Sequence, residues 1–345
     1  MEENQNQNVE ENKQPSQQKE FLFGLEKDDT EILFVSDIAN KIKKEIQKVI
    51  IGQDKTINLM LTCLFAGGNL LLEGVPGVAK TLMVKLLAKT IDTGFKRIQF
   101  TPDLMPSDVI GNTVFDMKNS TFYFREGPLF SNFILVDEVN RAPAKTQAAL
   151  IEAMEEKQVS VDGTTYQLGF PLFIVATQNP IEQEGTYRLP EAQLDRFMFK
   201  IEVSYPNLNQ EIEILSRFAE DFNIKQAGDV NKVCSTDDLK RCMDIIQNVH
   251  IRPELTKFIA GIVHNTRSNG DIFMGASPRA SLAILKTSKA LAAINGRNFV
   301  TPDDIRDVVY PAMNHRIILN PEREIEGVEI KDVILEIMRK IEVPL

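Results

Sequence analysis

Three short apolar runs set the pattern of hydrophobic and polar positions along this chain, Leu70 to Leu72, Phe133 to Val136 and Phe173 to Thr177, and Phe197 to Val203 reads as the last strand after them. None shows the 3.6-residue period of a helix, and each is bounded by glycine or polar residues, as expected of strands covered on both faces. Strands alternate with helical patterns through Val203, which predicts a parallel sheet flanked by helices on both sides. Upstream, Ile38, Ile42, Ile46 and Val49 fall on one helical face with Lys and Glu opposite, and Ser36-Asp37 reads as the cap that starts this helix. Pro206-Asn207 breaks the chain after the last strand. From Asn209 onward the pattern is helical, with starts expected near Asn209, Pro253, Ser277 and Pro302 and a last helix over Ile330 to Ile341, and no strand is expected there. Thr301 before Pro302 is a cap followed by proline at the first helical position. Two hairpins are expected inside the first region. One covers Thr113 to Phe124 with Asn119-Ser120 as its turn, and the other covers Gln158 to Leu168, turning at Asp162-Gly163.

The tips of these strands carry the chemistry. After Leu72 the chain reads Glu73-Gly74-Val75-Pro76-Gly77-Val78-Ala79-Lys80-Thr81-Leu82, a strand, a glycine-rich turn and the start of a helix. Gly74 and Gly77 let the backbone approach a ligand, and the helix that follows points unpaired N–H groups and its positive dipole end at an anion. Lys80 would reach terminal phosphates, and the Thr81 hydroxyl would hold Mg²⁺. Ala79 stands where the pattern G-x-x-x-x-G-K-[ST] has glycine, which is costly if that position needs positive φ and harmless if it is helical. Phe133 to Val136 runs into Asp137 and Glu138. Asp137 is placed to hold Mg²⁺ through water, and Glu138 to polarise an attacking water. Phe173 to Thr177 delivers Gln178, Asn179 and Pro180, of which a neutral amide can orient that water. Arg188, Arg196 and Arg279 are candidates for the positive charge that phosphoryl transfer uses in its transition state.

Composition narrows the picture without changing it. A length of 345 residues exceeds the usual single core and fits two domains, and 43% hydrophobic with 26% charged residues is ordinary globular usage. Met1 to Glu20 is an exception: it is almost entirely Glu, Asn, Gln, Lys and Ser, with Val9 its only large apolar residue after Met1, and is expected to be disordered and too acidic for a signal peptide. No apolar run has membrane-spanning length, so no direct membrane insertion is expected. A net charge of −10 argues against nonspecific nucleic-acid binding. Cys63, Cys234 and Cys242 have no metal-ligand spacing, and a reducing cytoplasm is the simplest compartment. His250, His264 and His315 do not cluster and receive no role.

Taken together, Gly74 to Thr81, the run Val136 to Gln147, Leu150 to Glu156, Ala176 to Pro180 and Leu189 to Phe197 resemble the MoxR family of AAA+ ATPases, with the likeness extending from about Ile46 to the C-terminus. The resemblance implies a P-loop AAA+ module with a central parallel sheet over residues 21–206, then an all-helical lid over 207–345. It implies that alanine before the P-loop lysine is ordinary. It gives Lys80 and Thr81 the Walker A role, Asp137 and Glu138 Walker B, Asn179 sensor 1 and Arg279 sensor 2. Arg196 is then the finger reaching a neighbouring subunit's nucleotide, with Arg188 as the other candidate, and Ile51, Gly52 and Gln53 line the adenine pocket. Both hairpins would face a pore. The implied function is ATP hydrolysis with Mg²⁺ at the interfaces of a ring, a hexamer, coupled to remodelling or maturation of partner proteins, including ones with a von Willebrand factor A domain. Two other classes stay open on residues alone: an ATP-dependent scaffold or switch with negligible turnover, and a nucleic-acid motor, disfavoured by acidic charge and the lack of a Lys/Arg-rich loop.

Overall fold

The computed structural model describes residues 16–180, 187, 189–220 and 230–342. In chain order the first elements are α1 (Ser16–Gln47), α2 (Asp54–Phe65), β1 (Leu70–Glu73), α3 (Lys80–Ile91), β2 (Phe95–Gln99) and α4 (Pro106–Ile110). The hairpin β3 (Gly111–Asp116) and β4 (Thr121–Glu126) follows, then β5 (Phe133–Asp137), α5 (Ala144–Glu156), a second hairpin β6 (Gln158–Val161) and β7 (Thr164–Gln167), β8 (Phe173–Gln178), α6 (Glu191–Leu194) and β9 (Phe199–Glu202). The C-terminal part holds α7 (Leu208–Glu220), α8 (Thr236–Gln247), α9 (Pro253–Ser268), β10 (Ile272–Met274), α10 (Pro278–Ile294), α11 (Pro302–Met313), β11 (Ile318–Leu319), α12 (Pro321–Ile325) and α13 (Ile330–Lys340).

Five strands form one sheet in the order β2-β5-β8-β1-β9, every neighbouring pair parallel. The apolar runs are buried on both faces because their side chains alternate between two cores. Leu70, Leu72, Phe133, Leu135, Phe173 and Val175 face a cluster with α1 to α3 that continues into the C-terminal helices. Leu71, Ile134, Val136, Ile174 and Ala176 face a second cluster with α5. Both hairpins form where their turn residues place them, with Asp162 and Gly163 at positive φ as a tight hairpin turn needs. They are joined to each other by Phe124 stacked on Tyr166 at 4.2 Å and by Thr113 donating to Asp162 at 2.7 Å.

Three expectations need correction. Ser36 does not cap a helix: α1 begins at Ser16, inside the 1–20 stretch, and runs unbroken past it, while the Ser36 hydroxyl donates to Ile294 O at 2.9 Å and ties α1 to α10. Val49 lies beyond the end of α1. The C-terminal region is not strand-free, since β10 and β11 pair antiparallel. The helix α8 was also unexpected, although Ser235 and Asp238 form a reciprocal capping box at its start, a signal legible in the chain.

The C-terminal helices are fastened to the sheet through a buried arginine. Arg316, 6% exposed, donates Nε to Asp195 Oδ1 at 2.7 Å and its terminal nitrogens to the carbonyls of Asp195 (2.8 Å), Phe197 (2.7 Å) and Ala312. Asp195 also accepts from the Ser277 hydroxyl at 2.8 Å, the residue that caps α10. Removing one partner of such a buried pair costs about 3–5 kcal/mol, because the other is left uncompensated. Beside it, buried His315 lies 2.9 Å from Phe197 O, and burial, then the Arg316 guanidinium, hold its pKa well below the usual 6.5. The folded imidazole stays neutral while the unfolded one gains a proton below that value, so this contribution is intact above pH 6.5 and is lost as pH falls. Stability should therefore drop by up to about 1.4 kcal/mol per pH unit from this group, and His315→Gln should flatten that part of a denaturation profile taken from about pH 7 to 5. Parallel profiles for the two proteins would contradict it.

Candidate active site

Because all five strands are parallel, the residues following β1, β5 and β8 emerge at one edge of the sheet. There Pro76 to Leu82, Arg97, Gln99, Asp137, Glu138, Thr177, Gln178 and Asn179 line a cleft of about 380 Å³. Ten of the expected site residues, Pro76, Gly77, Val78, Ala79, Lys80, Thr81, Leu82, Asp137, Glu138 and Asn179, are thus brought together. Gly77 sits at φ 88 with open space where a side chain would begin, so its backbone is accessible to a ligand. Ala79 adopts φ 60, ψ 21, the left-handed conformation, immediately before the first residue of α3. The choice left open by its sequence position is settled on the strained side. Lys80 Nζ donates to Gly74 O and to Val75 O (3.3 Å), the carbonyls of its own loop.

One hydroxyl organises the two acids. Thr177 Oγ1 donates to Asp137 Oδ1 and accepts from the Glu138 N–H, both at 3.1 Å, linking β8 to the tip of β5. Glu138 needs that anchor, since its backbone is at φ 57, a conformation side-chain-bearing residues adopt at a cost. Its carboxylate oxygen Oε2 accepts from Gln99 at 2.7 Å and from Arg141 at 2.9 Å. Asp137, 7% exposed, pairs with Arg97 Nε at 2.5 Å. Thr177, Arg97, Gln99 and Arg141 received no role from the sequence. Arg97 and Gln99 were hard to see because β2 has no apolar run: of Phe95 to Gln99 only Ile98 is buried, and the register Gln99 opposite Asp137 is what brings these side chains to the cleft.

Gly52 and Gln53 lie next to the cleft rather than in it. Gln53 Nε2 donates to Ser204 O at 3.1 Å, and a side chain added at Gly74 would meet Val203 O, so the loop and the 51–53 segment abut the same stretch after β9. Gly52 and Gln53 line a separate cavity of about 420 Å³ between α2, β9, α11 and α13, where Tyr310 donates to Glu202 at 2.6 Å. Burial and that carboxylate push the Tyr310 hydroxyl pKa up, so it stays protonated.

Arg196 and Arg279 are placed elsewhere. Arg196 precedes β9 and so stands at the opposite edge of the sheet, a strand length or about 13 Å from the cleft edge. Its Nε pairs with Glu155 Oε2 at 2.7 Å, and Arg279 Nη2 contacts the other oxygen of the same carboxylate. Arg279 does not line the phosphate-side cleft. Together with Lys157, Lys286 and Arg316 the two arginines surround a cavity of about 300 Å³. Arg188 lies outside the described residues. Burial pushes the Cys234 and Cys242 thiols up to about 12 and Cys63 higher still, and among the described residues no three or more His, Cys, Asp and Glu side chains cluster as a metal site would need.

Comparison with known proteins decides the family. Residues 69–199 match the model of the ATPase family associated with various cellular activities (AAA), and residues 264–337 match the AAA lid domain. The chain is 40% identical over 309 residues to chaperone MoxR1 of Mycobacterium tuberculosis, covering 87% of this chain and 81% of that protein. This chain belongs to the MoxR family of AAA+ ATPases. It is also 44% identical to YeaC of Bacillus subtilis over 308 residues, 89% of this chain and 95% of that one. A crystal structure of a candidate ATPase from Cytophaga hutchinsonii superposes with a TM-score of 0.86 at 44% identity, covering 93% of this chain and 99% of that chain. The MoxR-type cleft suits a magnesium nucleotide: a hydroxyl and a carboxylate, the oxygen donors a hard cation takes, flank a loop of backbone N–H groups and a lysine. Replacing Ala79→Gly should raise stability by about 1 kcal/mol by relieving the left-handed strain. A thermal melt that does not move, or moves down, would show that the turn carries no such strain.

Proposed function

We propose that this chain hydrolyses ATP at the interfaces of a cytoplasmic ring of its own copies, a hexamer, and uses the cycle to remodel or mature partner proteins. The observation that carries the reading is the separation of two charged centres: the acid-bearing cleft at one sheet edge and the Arg196–Arg279 pair at the other. Neither is complete alone, and a head-to-tail neighbour joins them, which is the kind of contact that closes into a ring.

In this reading the backbone from Gly74 to Leu82 and the Lys80 ammonium would hold the phosphates, Thr81 and Asp137 would hold Mg²⁺, and Ile51, Gly52 and Gln53 would flank the base. Bound there, the ion would neutralise charge on the phosphate oxygens. Glu138 accepts the proton of the attacking water, Asn179 orients that water, and the neighbour's Arg196 and Arg279 meet the charge that develops on the transferred group. Gln99 and Arg141 leave one Glu138 oxygen for the water by occupying the other. Arg97 and the cation would share the Asp137 carboxylate. The ATPase domain ends near residue 206 and the lid follows. The first hairpin exposes Phe115, Met117, Phe122 and Tyr123, an apolar tip suited to gripping a client chain. A relative is named a chaperone, and the family resemblance makes a protein with a von Willebrand factor A domain a candidate partner.

Glu138→Gln should bind ATP and stop turnover. Arg196→Ala should cut turnover by about 10³-fold or more with ATP affinity nearly unchanged, and mixing the two variants should restore activity, since one supplies the arginine and the other an intact cleft. Lack of complementation would put the arginine to work within its own subunit and sink the interface reading. A hydrolysis-silent switch would show ATP binding with no turnover in the parent protein.

A further inference from the structure

We propose that Glu155 is a positioning residue that yokes Arg196 and Arg279 into one unit for gripping the neighbouring copy's nucleotide; this rests on the interface reading above. Three elements meet at this carboxylate. Glu155 lies in the last turn of α5, the helix that leaves the Asp137–Glu138 tip and returns across the sheet. Arg196 belongs to the segment before β9, and Arg279 to the first turn of α10 in the lid. Each oxygen of Glu155 takes one arginine: Oε2 takes Arg196 Nε at 2.7 Å, and Oε1 takes Arg279 Nη2.

The chemistry of that arrangement favours presentation over storage. A carboxylate that engages Arg196 through Nε leaves both terminal nitrogens of the guanidinium for a second acceptor, and these form the fork that suits phosphate oxygens. Two guanidinium groups brought this close repel each other, and both are partly exposed, so without a shared anion they would rotate apart into water. The rest of the cavity supplies no substitute. Lys157, Lys286 and Arg316 add positive charge, and the other carboxylate, Asp195, is committed to Arg316 and Ser277. The yoke also makes the lid arginine and the core arginine move together, so that a shift of the lid against the sheet is felt at the neighbour's phosphates.

The test uses the full chain with Glu155→Ala and the near-isosteric Glu155→Gln. Turnover per subunit at saturating ATP should fall by about 10- to 100-fold in Glu155→Ala, the size of effect a misplaced catalytic group produces, with KM for ATP within about twofold. The denaturation midpoint and the sedimentation coefficient of the assembly should match the parent, and Glu155→Gln, which keeps one acceptor oxygen, should fall between. Mixing Glu155→Ala with Glu138→Gln subunits should restore turnover, because the Glu155→Ala cleft is intact and the partner's arginine pair is still yoked. The same mixing with Arg196→Ala is the control. If Arg196→Ala is rescued but Glu155→Ala is not, or if Glu155→Ala turns over normally, the yoke is wrong while the interface stands. If KM rises with kcat unchanged, Glu155 acts on nucleotide binding and the inference fails. If neither variant is rescued, the interface reading falls, and the yoke with it.

Discussion

Parallel pairing of β1, β2, β5, β8 and β9 sends the end of every sheet strand to one edge and its beginning to the other, and the chemistry of this protein follows from that division. Residues that follow a strand, such as Lys80 after β1, Glu138 after β5 and Asn179 after β8, are gathered at the same end. Residues that precede a strand are excluded from the same place. Arg196, three residues before β9, cannot approach the cleft of its own chain without unpairing that strand from β1. The topology thus separates acid from arginine by the length of a strand.

The lid extends this logic. It is fastened at the arginine edge, where Asp195 receives Arg316 and Ser277 and where His315 abuts Phe197 O. Ser277 caps α10 and Arg279 lies two residues later, so the latch that docks the lid also sets Arg279 beside Arg196. Arg279 is held there by Glu155 and does not line the cleft of its own chain. The larger hydrophobic core runs through α1, α3 and the C-terminal helices without interruption, and this gives the latch a rigid backing.

Much of this was legible in the chain because the signals are local. Apolar runs ending in Asp137-Glu138 or Thr177-Gln178-Asn179, a glycine turn before Lys80, and Asp162-Gly163 between alternating residues each carry their structure within a few positions. What escaped notice depends on register and on long-range contact. Arg97 and Gln99 matter only because β2 pairs with β5, and β2 is a polar-faced edge strand without an apolar run. Ser36 has the residue type of a cap, yet α1 continues through it because its apolar face is covered by α2, α3, α8 and α10. Ala79 could be weighed but not decided from sequence, since only the backbone angle distinguishes a tolerated methyl from a strained one. Glu155 sat in view inside a recognisable run, and nothing nearby in sequence marks it as the meeting point of two arginines 41 and 124 positions away.

The central claim is that a complete catalytic set exists only between copies. Steady-state ATP turnover per subunit, measured against protein concentration with Lys80→Ala as control, tests it most directly. The account predicts a specific activity that rises with concentration to a plateau and is absent in the control. Activity that is constant down to concentrations at which sedimentation shows only single subunits would contradict it.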